Sequence, residues 1–250
     1  MHTRNPRTGR CIIKPSNIPK IVRWSGYLTL TLVLGLILSV LCVRAGLWHQ
    51  GLLLYALCCL GSTGLLSLFA VALTLRGFTS WRGQLLLRSL AVIPGTFLLL
   101  SLLISRGDYP AIHDITTDTV NPPVFTHAHS IRNEAANSLK ISAETMQLQR
   151  AAYPDIRTNH STLNFSEAFA QAISVAQKMG WETTFSDANA GLIEAVDSTT
   201  IMAFKDDIII RLRHFEHGTL VDLRSASRVG QNDLGANAKR IQKFMHRFNQ

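Results

Sequence analysis

The most constraining feature of this chain is the position of its first acidic residue, Asp108. The residues before it contain eleven Lys or Arg, no carboxylate and three long apolar runs. The residues from it onward hold 14 Lys or Arg and all 16 Asp or Glu. The two parts therefore carry +11 and −2, which give the net charge of +9. This discontinuity predicts a basic leader at 1–25, a membrane anchor at 26–106 and a soluble domain at 107–250.

Each apolar run is long enough to cross a membrane as a helix. The runs span about 26–43, 51–75 and 84–105, close to the ~20 residues that cross a hydrocarbon core of ~30 Å. Arg88 lies in the first turn of the third run, from which a long side chain reaches the interface. No run has an ionisable residue near its centre, where proton and ion pathways usually place one. The pattern predicts an anchor of three transmembrane helices and not a transporter.

The basic residues predict the orientation of this anchor. Six of them lie in residues 1–25, and flanks rich in Lys and Arg stay in the cytoplasm. Three crossings would place residues 107–250 on the other side, in the periplasm or another extracytoplasmic space. We therefore expect a multi-pass protein of the cytoplasmic (inner) membrane, with the lipid bilayer as a partner.

The soluble part predicts an α+β domain with an antiparallel sheet and flanking helices. Apolar residues repeat at helical spacing after Ser166, which we interpret as an N-cap, and Gly180 ends that helix. A last helix is expected at about 233–248. Strand-like runs lie at 181–186, 191–196, 200–204, 208–214 and 219–225. The turn before the fourth run would contain Lys205, Asp206 and Asp207. Consecutive strands joined by short turns favour antiparallel pairing.

Charge and cysteine content exclude several classes of function for the soluble part. Residues 107–250 contain no cysteine, so neither a disulfide framework nor a thiolate metal site can form there. The basic excess belongs to the membrane flanks, whereas a nucleic-acid-binding domain needs a basic patch of its own. We expect no nucleic-acid partner and no cofactor.

Three segments of the soluble part resemble one uncharacterised family. They are residues 112–123 (IHDITTDTVNPP), 152–156 (AYPDI) and 222–241 (DLRSASRVGQNDLGANAKRI). Together they resemble domain of unknown function 1499 over essentially all of residues 108–250. The resemblance implies a single domain, and it implies no reaction, ligand or site residue.

One cluster of residues has acid–base or metal-ligand chemistry, namely His113, Asp114 and Asp118. Adjacent residues of an extended strand point to opposite faces, which separates His113 from Asp114. No second histidine stands at helical metal-ligand spacing. In the competing interpretation these side chains form hydrogen bonds that stabilise a turn and have no chemical role. Whether a metal binds is left open.

A second group of residues suggests an anion site. If the runs 208–214 and 219–225 pair, Arg211, Arg213, Asp222 and Arg224 share a face with an excess of positive charge. Further on, hydroxyls and guanidinium groups precede the last helix, whose N-terminus presents unpaired N–H groups. The hypothesis is a phosphate or carboxylate pocket. Its residues are Arg211, Arg224, Ser225, Ser227, Arg228 and Asn237.

The alternative for the same residues is a structural lock. In it Asp222 and Asp233 neutralise Arg224 and Arg228, and Asp233 is itself the N-cap of the last helix. A carboxylate at that position would also repel an anionic ligand. The sequence leaves both the pocket and the lock open.

Three functions are compatible with these patterns. The preferred hypothesis is a binding or interaction module for an anionic small molecule, a lipid head group or a membrane protein partner of the envelope. The second is a structural accessory subunit of a membrane complex. The third is a hydrolytic enzyme that uses His113, Asp114 and Asp118, although no recognised nucleophile–base spacing or phosphate-binding glycine loop is present. No catalytic residue is therefore assigned.

Overall fold

A computed structural model describes residues 19–104, 107 and 109–250 of the chain. It divides into two compact units, Met1–Leu103 and Ile104–Gln250. Most of the predicted basic leader, residues 1–18, lies outside the described residues, as does Asp108.

The first unit, called here the helical unit, consists of three long apolar helices. Helix α1 spans Lys20–Arg44, α2 spans Trp48–Thr74 and α3 spans Arg82–Ile104, with a 3-10 segment at Arg76–Trp81 between α2 and α3. Counting the 3-10 segment with α3, an 18-residue window in each helix has a mean hydropathy of 2.3, 2.1 and 2.0 respectively, and each helix is long enough to cross a membrane. Pro94 lies inside α3 without ending it.

Small residues allow the three helices to approach each other closely. A Cβ on Gly35 of α1 would lie 2.5 Å from Cys58 Sγ of α2, and a Cβ on Gly95 of α3 would lie 2.5 Å from Ser62 Oγ. Such positions require glycine because the neighbouring helix occupies the space. Cys58 and its neighbour Cys59 are buried here, which agrees with a packing role.

The second unit is an α+β domain with an antiparallel sheet and flanking helices, as the sequence predicted. Its strands are β1 (Asp114–Thr116), β2 (Asn159–Ser161), β3 (Glu182–Asp187), β4 (Leu192–Ser198), β5 (Lys205–Phe215) and β6 (Gly218–Ser227). Its helices are α4 (Ala128–Ile131), α5 (Ala143–Ala152), α6 (Phe165–Lys178) and α7 (Ala236–Phe248). The strand order is β1-β6-β5-β4-β3, and β2 pairs with β6 as well.

The two faces of the sheet are covered by different parts of the chain. Ile208, Ile210 and Leu212 of β5 belong to the main core with residues of α6 and α7. On the opposite face Ile209 packs with Phe125 of the connection between β1 and α5. The residues of that connection therefore lie over the face of the sheet that carries the arginines.

Two strand predictions are wrong. Residues 200–204 form a turn, in which Ala203 has a φ of 55°, and not a strand. Lys205, Asp206 and Asp207 do not form a turn, because they begin β5 and Lys205 pairs with Ser198 of β4. The carboxylates of Asp206 and Asp207 are buried in ion pairs with arginines that are distant in sequence. Two adjacent Asp therefore did not indicate a solvent-exposed turn here.

Two helix starts also differ from the prediction. The N-cap of α6 is Asn164 and not Ser166, since Asn164 and Glu167 exchange side-chain-to-backbone hydrogen bonds at 3.0 and 3.3 Å in a capping box. Helix α7 begins at Ala236, after Gly235 in the left-handed conformation with a φ of 76°. A Cβ on Gly235 would also lie 2.7 Å from the ring of Tyr109. Both the positive φ and this close approach therefore favour glycine at the position.

Residues 107–250 are expected to fold without the helical unit. Their apolar side chains form a main core between the sheet and helices α6 and α7, and a domain of this size needs no covalent staple. Expressed alone, they should be soluble and show one cooperative unfolding transition in the fluorescence of Trp181, the only tryptophan after residue 107 in the sequence. Obligate aggregation, or a gradual fluorescence change without a transition, would contradict an autonomous domain.

Candidate functional site

The residues of the predicted anion pocket do not form one site. Arg211 and Arg224 point to the face of the sheet covered by the connection between β1 and α5, and their ion pairs lie there. Ser225, Ser227 and Asn237 form hydrogen bonds with one another on the face covered by α7. Alternation along β6 separates the two groups, because successive strand residues point to opposite faces.

Arg224 is buried, and all three of its guanidinium nitrogens are engaged. Nε and Nη2 donate to Asp114 at 3.0 and 2.7 Å, Nη1 donates to Pro123 O at 2.9 Å, and Nη2 donates also to Leu139 O at 2.6 Å. The guanidinium lies 5.0 Å from the centre of the Phe125 ring. Arg224 thus ties β1 and the covering connection to the sheet.

Arg228 belongs to a second internal ion pair. Its Nη2 donates to Asp207 Oδ1 at 2.7 Å, and Arg132 Nη1 donates to Asp207 Oδ2 at 2.6 Å. Burial lowers the pKa of Arg132, and the charge of Asp207 offsets this only in part. Asp207 is therefore bound by two cations, and the structure shows the lock for Arg228.

The carboxylates of this lock differ from those suggested by the sequence. Asp114 neutralises Arg224 and Asp207 neutralises Arg228, in place of Asp222 and Asp233. Asp233 instead accepts hydrogen bonds from the backbone N–H groups of Gly235 and Asn237 at 2.9 and 2.8 Å. The start of α7 is thus occupied by a carboxylate of the chain itself.

Asp222 lies on the arginine-bearing face, and its side chain is 0% exposed. Its oxygens accept hydrogen bonds from Arg211 at 2.9 Å, Arg213 at 2.7 Å, Thr117 at 3.2 Å and Thr158 at 2.6 Å. Burial alone would raise the pKa of Asp222, but the hydrogen bonds from Thr158 and the two arginines outweigh burial and hold the pKa below its ordinary value.

The predicted excess of positive charge on this face is absent. Arg211, Arg213 and Arg224 are balanced by Asp222 and by two further carboxylates that β1 and the following turn bring to the same place. Those two carboxylates are Asp114 and Asp118. Strand pairing alone could not have revealed them, because they arrive from about a hundred residues away in sequence.

The residues suggested for acid–base or metal chemistry have separate structural partners. Asp114 pairs with Arg224, whereas Asp118 accepts from Arg211 at 3.0 Å and from the backbone of Asn121 at 2.8 Å. His113 contributes its backbone carbonyl to Asn237 at 3.0 Å. Among the residues described, no group of three His, Cys, Asp or Glu is placed to hold a metal ion.

A buried polar network on the α7 face includes a residue that sequence reasoning missed. Arg240 Nη1 donates to Ser225 Oγ at 3.0 Å and to Asn237 Oδ1 at 2.5 Å, and its Nη2 donates to Asp206 Oδ2 at 2.6 Å. Ser227 Oγ accepts from Asn237 at 2.9 Å. The spacing of three between Asn237 and Arg240 was an available signal, since such residues share a helix face. The network fastens α7 to the sheet.

An open cleft of about 330 Å³ lies beside β1 and α5. Arg150 and Arg157 both line it, and both are exposed. Neither side chain forms an ion pair or hydrogen bond within the part of the chain that the structure describes. We call this the cationic cleft. Thr117 and Ile156 line it together with an adjoining cleft of about 260 Å³.

Tyr153, which lines the cationic cleft, has a buried hydroxyl. Its hydroxyl oxygen has no hydrogen-bond partner among the described residues, and Tyr153 lines the cleft. Burial, followed by the charge of Asp233, raises the pKa of Tyr153. Buried polar atoms without a partner are uncommon, and a ligand is one explanation for them.

Gln149 holds the wall of the cationic cleft in place. Its side chain accepts from Thr116 N at 3.0 Å and donates to Thr116 O at 2.5 Å, which attaches α5 to β1. Sequence reasoning missed Arg150, Tyr153 and Arg157 as site residues. Their signal was weak: Tyr153 lies in the second family-like segment, but only the folded chain brings the three side chains to one cleft.

The fold and the site define a class of protein with three apolar helices followed by an α+β domain, which has internally paired arginines and a cationic cleft. The family model described as protein of unknown function (DUF1499) matches residues 114–248, more than half of the chain. The chain therefore belongs to this family, which confirms the resemblance. The match runs from β1 to α7 and leaves the apolar helices outside it. No curated protein matches the chain.

Proposed function

We propose that this chain is a membrane-anchored module whose α+β domain binds a small anionic ligand in the cationic cleft. The observation that carries the proposal is the contrast between two sets of arginines. Arg224 of the sheet and Arg240 of α7 are paired with carboxylates. Arg150 and Arg157 are unpaired and line a cleft together with Tyr153, whose hydroxyl is buried and unpartnered among the described residues.

The electrostatics of the cleft favour an anion. A guanidinium binds carboxylates and phosphates through two parallel hydrogen bonds, and two unpaired guanidinium groups raise the local concentration of anions. Asp155 lines only the adjoining cleft. A volume of about 330 Å³ is at the lower end for small-molecule sites, so the ligand is expected to be small.

The proposed anchoring in the cytoplasmic membrane is supported by the length, the hydropathy and the charge of the helical unit. Three helices are long enough to span, and the residues up to 107 contain eleven basic and no acidic residues. The basic leader favours a cytoplasmic N-terminus and an extracytoplasmic α+β domain. A cleft on that side would meet ligands of the periplasm or its equivalent.

Fusions after Gln250 test this topology. An alkaline phosphatase placed there should be active, because that enzyme needs an oxidising compartment for its disulfides. A fluorescent protein that folds only in the cytoplasm should stay dark at the same position. The opposite pattern would contradict the extracytoplasmic domain, and loss of both fusions from the membrane fraction would contradict anchoring.

Inorganic phosphate is the probe for the cationic cleft. At tenfold excess over its Kd it should stabilise the wild-type protein by about 1.4 kcal/mol, seen as a rise of a few degrees in Tm. The double variant Arg150→Gln/Arg157→Gln should lose this rise. The matched control Lys178→Gln/Lys205→Gln removes the same charge from exposed positions that do not line the cleft, and it should keep the rise.

Two outcomes would contradict the cleft as the binding site. If phosphate does not raise the Tm of the wild type, the proposal that the domain binds an anion is contradicted. A rise that persists in Arg150→Gln/Arg157→Gln but disappears in Arg228→Gln would move the site to the pocket first suggested by the sequence. Arg228→Gln is expected to lower Tm itself, because Asp207 would lose one of its two cations.

A structural accessory role in a membrane complex is the second candidate, and one observation favours it. Val120 and Val124 are 92% and 67% exposed on a loop held in place by Asp118 and Arg224. Exposed apolar side chains on a firmly held loop suit a protein–protein contact. A protein partner that co-purifies with the wild type but not with Val120→Asp would favour this role.

A further inference from the structure

The helical unit contains an apolar groove that is separate from the cationic cleft. The groove has a volume of about 330 Å³ and lies between α1, α2, the 3-10 segment and the start of α3. Its lining includes Val22, Leu65, Phe69, Ala72 and Leu85. Ser25 is the one polar side chain among the described residues that line it.

Arg88 of α3 lies against the wall of this groove. Its Nη1 donates to Ser25 Oγ at 3.0 Å and to the backbone carbonyl of Val22, and both of these residues line the groove. Its Nη2 donates to Gln84 Oε1 at 3.3 Å. Gly26 makes room on α1, since a Cβ there would lie 3.0 Å from Arg88 Nη2.

Arg88 has no carboxylate partner within the helical unit. Residues 1–107 of the sequence contain no Asp or Glu, and the hydrogen-bond partners of Arg88 are neutral oxygens. Further cations, Lys20 and Arg76, adjoin the lining residues Ile21 and Leu75 at the same groove. A cation at a membrane interface needs a counter-ion, and here that ion has to come from outside the helical unit.

We propose that the groove holds one acyl chain of an anionic phospholipid whose phosphate pairs with Arg88. The apolar lining matches the chain, and the unpaired guanidinium matches the phosphate. The acyl chain in the groove holds the lipid at this position, and the preference for an anionic over a zwitterionic lipid comes from the net charge of the head group. The inference rests on the proposed membrane anchoring and is independent of the cationic cleft.

Native mass spectrometry of the full-length protein tests the lipid site. The detergent-purified protein is mixed with equal amounts of phosphatidylglycerol and phosphatidylcholine that carry identical chains. Wild type should retain phosphatidylglycerol with about a tenfold preference, or about 1.4 kcal/mol. Both head groups have a phosphate, but only phosphatidylcholine has a quaternary ammonium, which the unpaired guanidinium repels. Glycerophosphate, which has the phosphate without chains, should not compete at the same concentration.

Three variants separate the charge from the groove. Arg88→Gln should lose the preference, and Ala72→Phe, which fills the groove, should lose it while leaving the contacts of Arg88 intact. Arg44→Gln removes a charge at the other end of α1 and should keep the preference. Because Ala72→Phe does not touch Arg88, it tests the site even where Arg88→Gln fails to fold.

Equal retention of the two lipids by the wild type would overturn the lipid site. So would an unchanged preference in a folded Arg88→Gln or in Ala72→Phe. Effective competition from glycerophosphate would overturn it as well. Alkaline carbonate extraction of the cell membranes distinguishes this failure from failure of the anchoring. A protein that resists extraction but shows no lipid preference overturns the lipid site alone, whereas an extracted protein overturns the anchoring on which it rests.

Discussion

Replacing Arg224 with methionine is expected to lower the free energy of unfolding of the α+β domain by about 3–5 kcal/mol, because it leaves a buried carboxylate unpaired. Arg224 is 3% exposed, and it donates to both oxygens of the buried Asp114. It also holds the carbonyls of Pro123 and Leu139, which belong to the connection that covers the sheet. A loss of this size is a large part of the 5–15 kcal/mol that stabilises a typical domain.

Urea denaturation of residues 107–250, followed by Trp181 fluorescence, measures this loss. Arg213→Met is the control, because its side chain is 39% exposed and Asp222, its buried partner, keeps Arg211 as a second cation. The control should cost about 1 kcal/mol or less. The double variant Asp114→Leu/Arg224→Met should recover part of the loss, because it removes both charges together. A cost for Arg224→Met no larger than that of the control would contradict a structural role.

Acid is expected to destabilise the domain through Asp222. The folded-state pKa of Asp222 lies below its ordinary value, whereas an Asp of the unfolded chain titrates near ~3.9. The unfolded chain therefore takes up a proton first as the pH falls. The stability contributed by the Asp222 carboxylate is fully present above that pH range, and it is lost as the pH falls through the folded-state pKa.

Two variants test this assignment in denaturation curves collected between neutral pH and pH ~3. Asp222→Asn should cost about 3 kcal/mol at neutral pH, and its difference from the wild type should shrink as the pH falls. Thr158→Val removes one of the hydrogen bonds that lower the pKa of Asp222, so its acid unfolding should begin at a higher pH. Curves for the wild type and Asp222→Asn that stay parallel over the whole range would contradict the role of Asp222.

The predicted and observed architectures agree where the evidence is local. The three apolar helices follow from runs of consecutive apolar residues, and β4, β5 and β6 follow from alternating residues with short turns between them. Both signals depend on neighbours within about ten residues of each other along the chain. The sharing of one sheet face by Arg211, Asp222 and Arg224 was predictable for the same reason.

The predictions that fail do so where distant residues decide the environment. Asp206 and Asp207 are typical of a solvent-exposed turn, yet both are buried within β5. Arg240, 34 residues from Asp206, and Arg132, 75 residues from Asp207, make that burial possible. A carboxylate can be buried only beside a compensating cation, and the sequence does not show which cation will arrive.

The sequence by itself determined the division into apolar helices and an α+β domain, because the preference of a segment for lipid or water is a sum over its own residues. Tertiary structure decided which cations are available to a ligand. Arg224 and Arg228 have the same side chain as Arg150 and Arg157, but folding brings Asp114 and Asp207 to the first two and no carboxylate partner, within the described chain, to the others. The free energy of a charge depends on its neighbours in space, and the chain acquires those neighbours only when it folds.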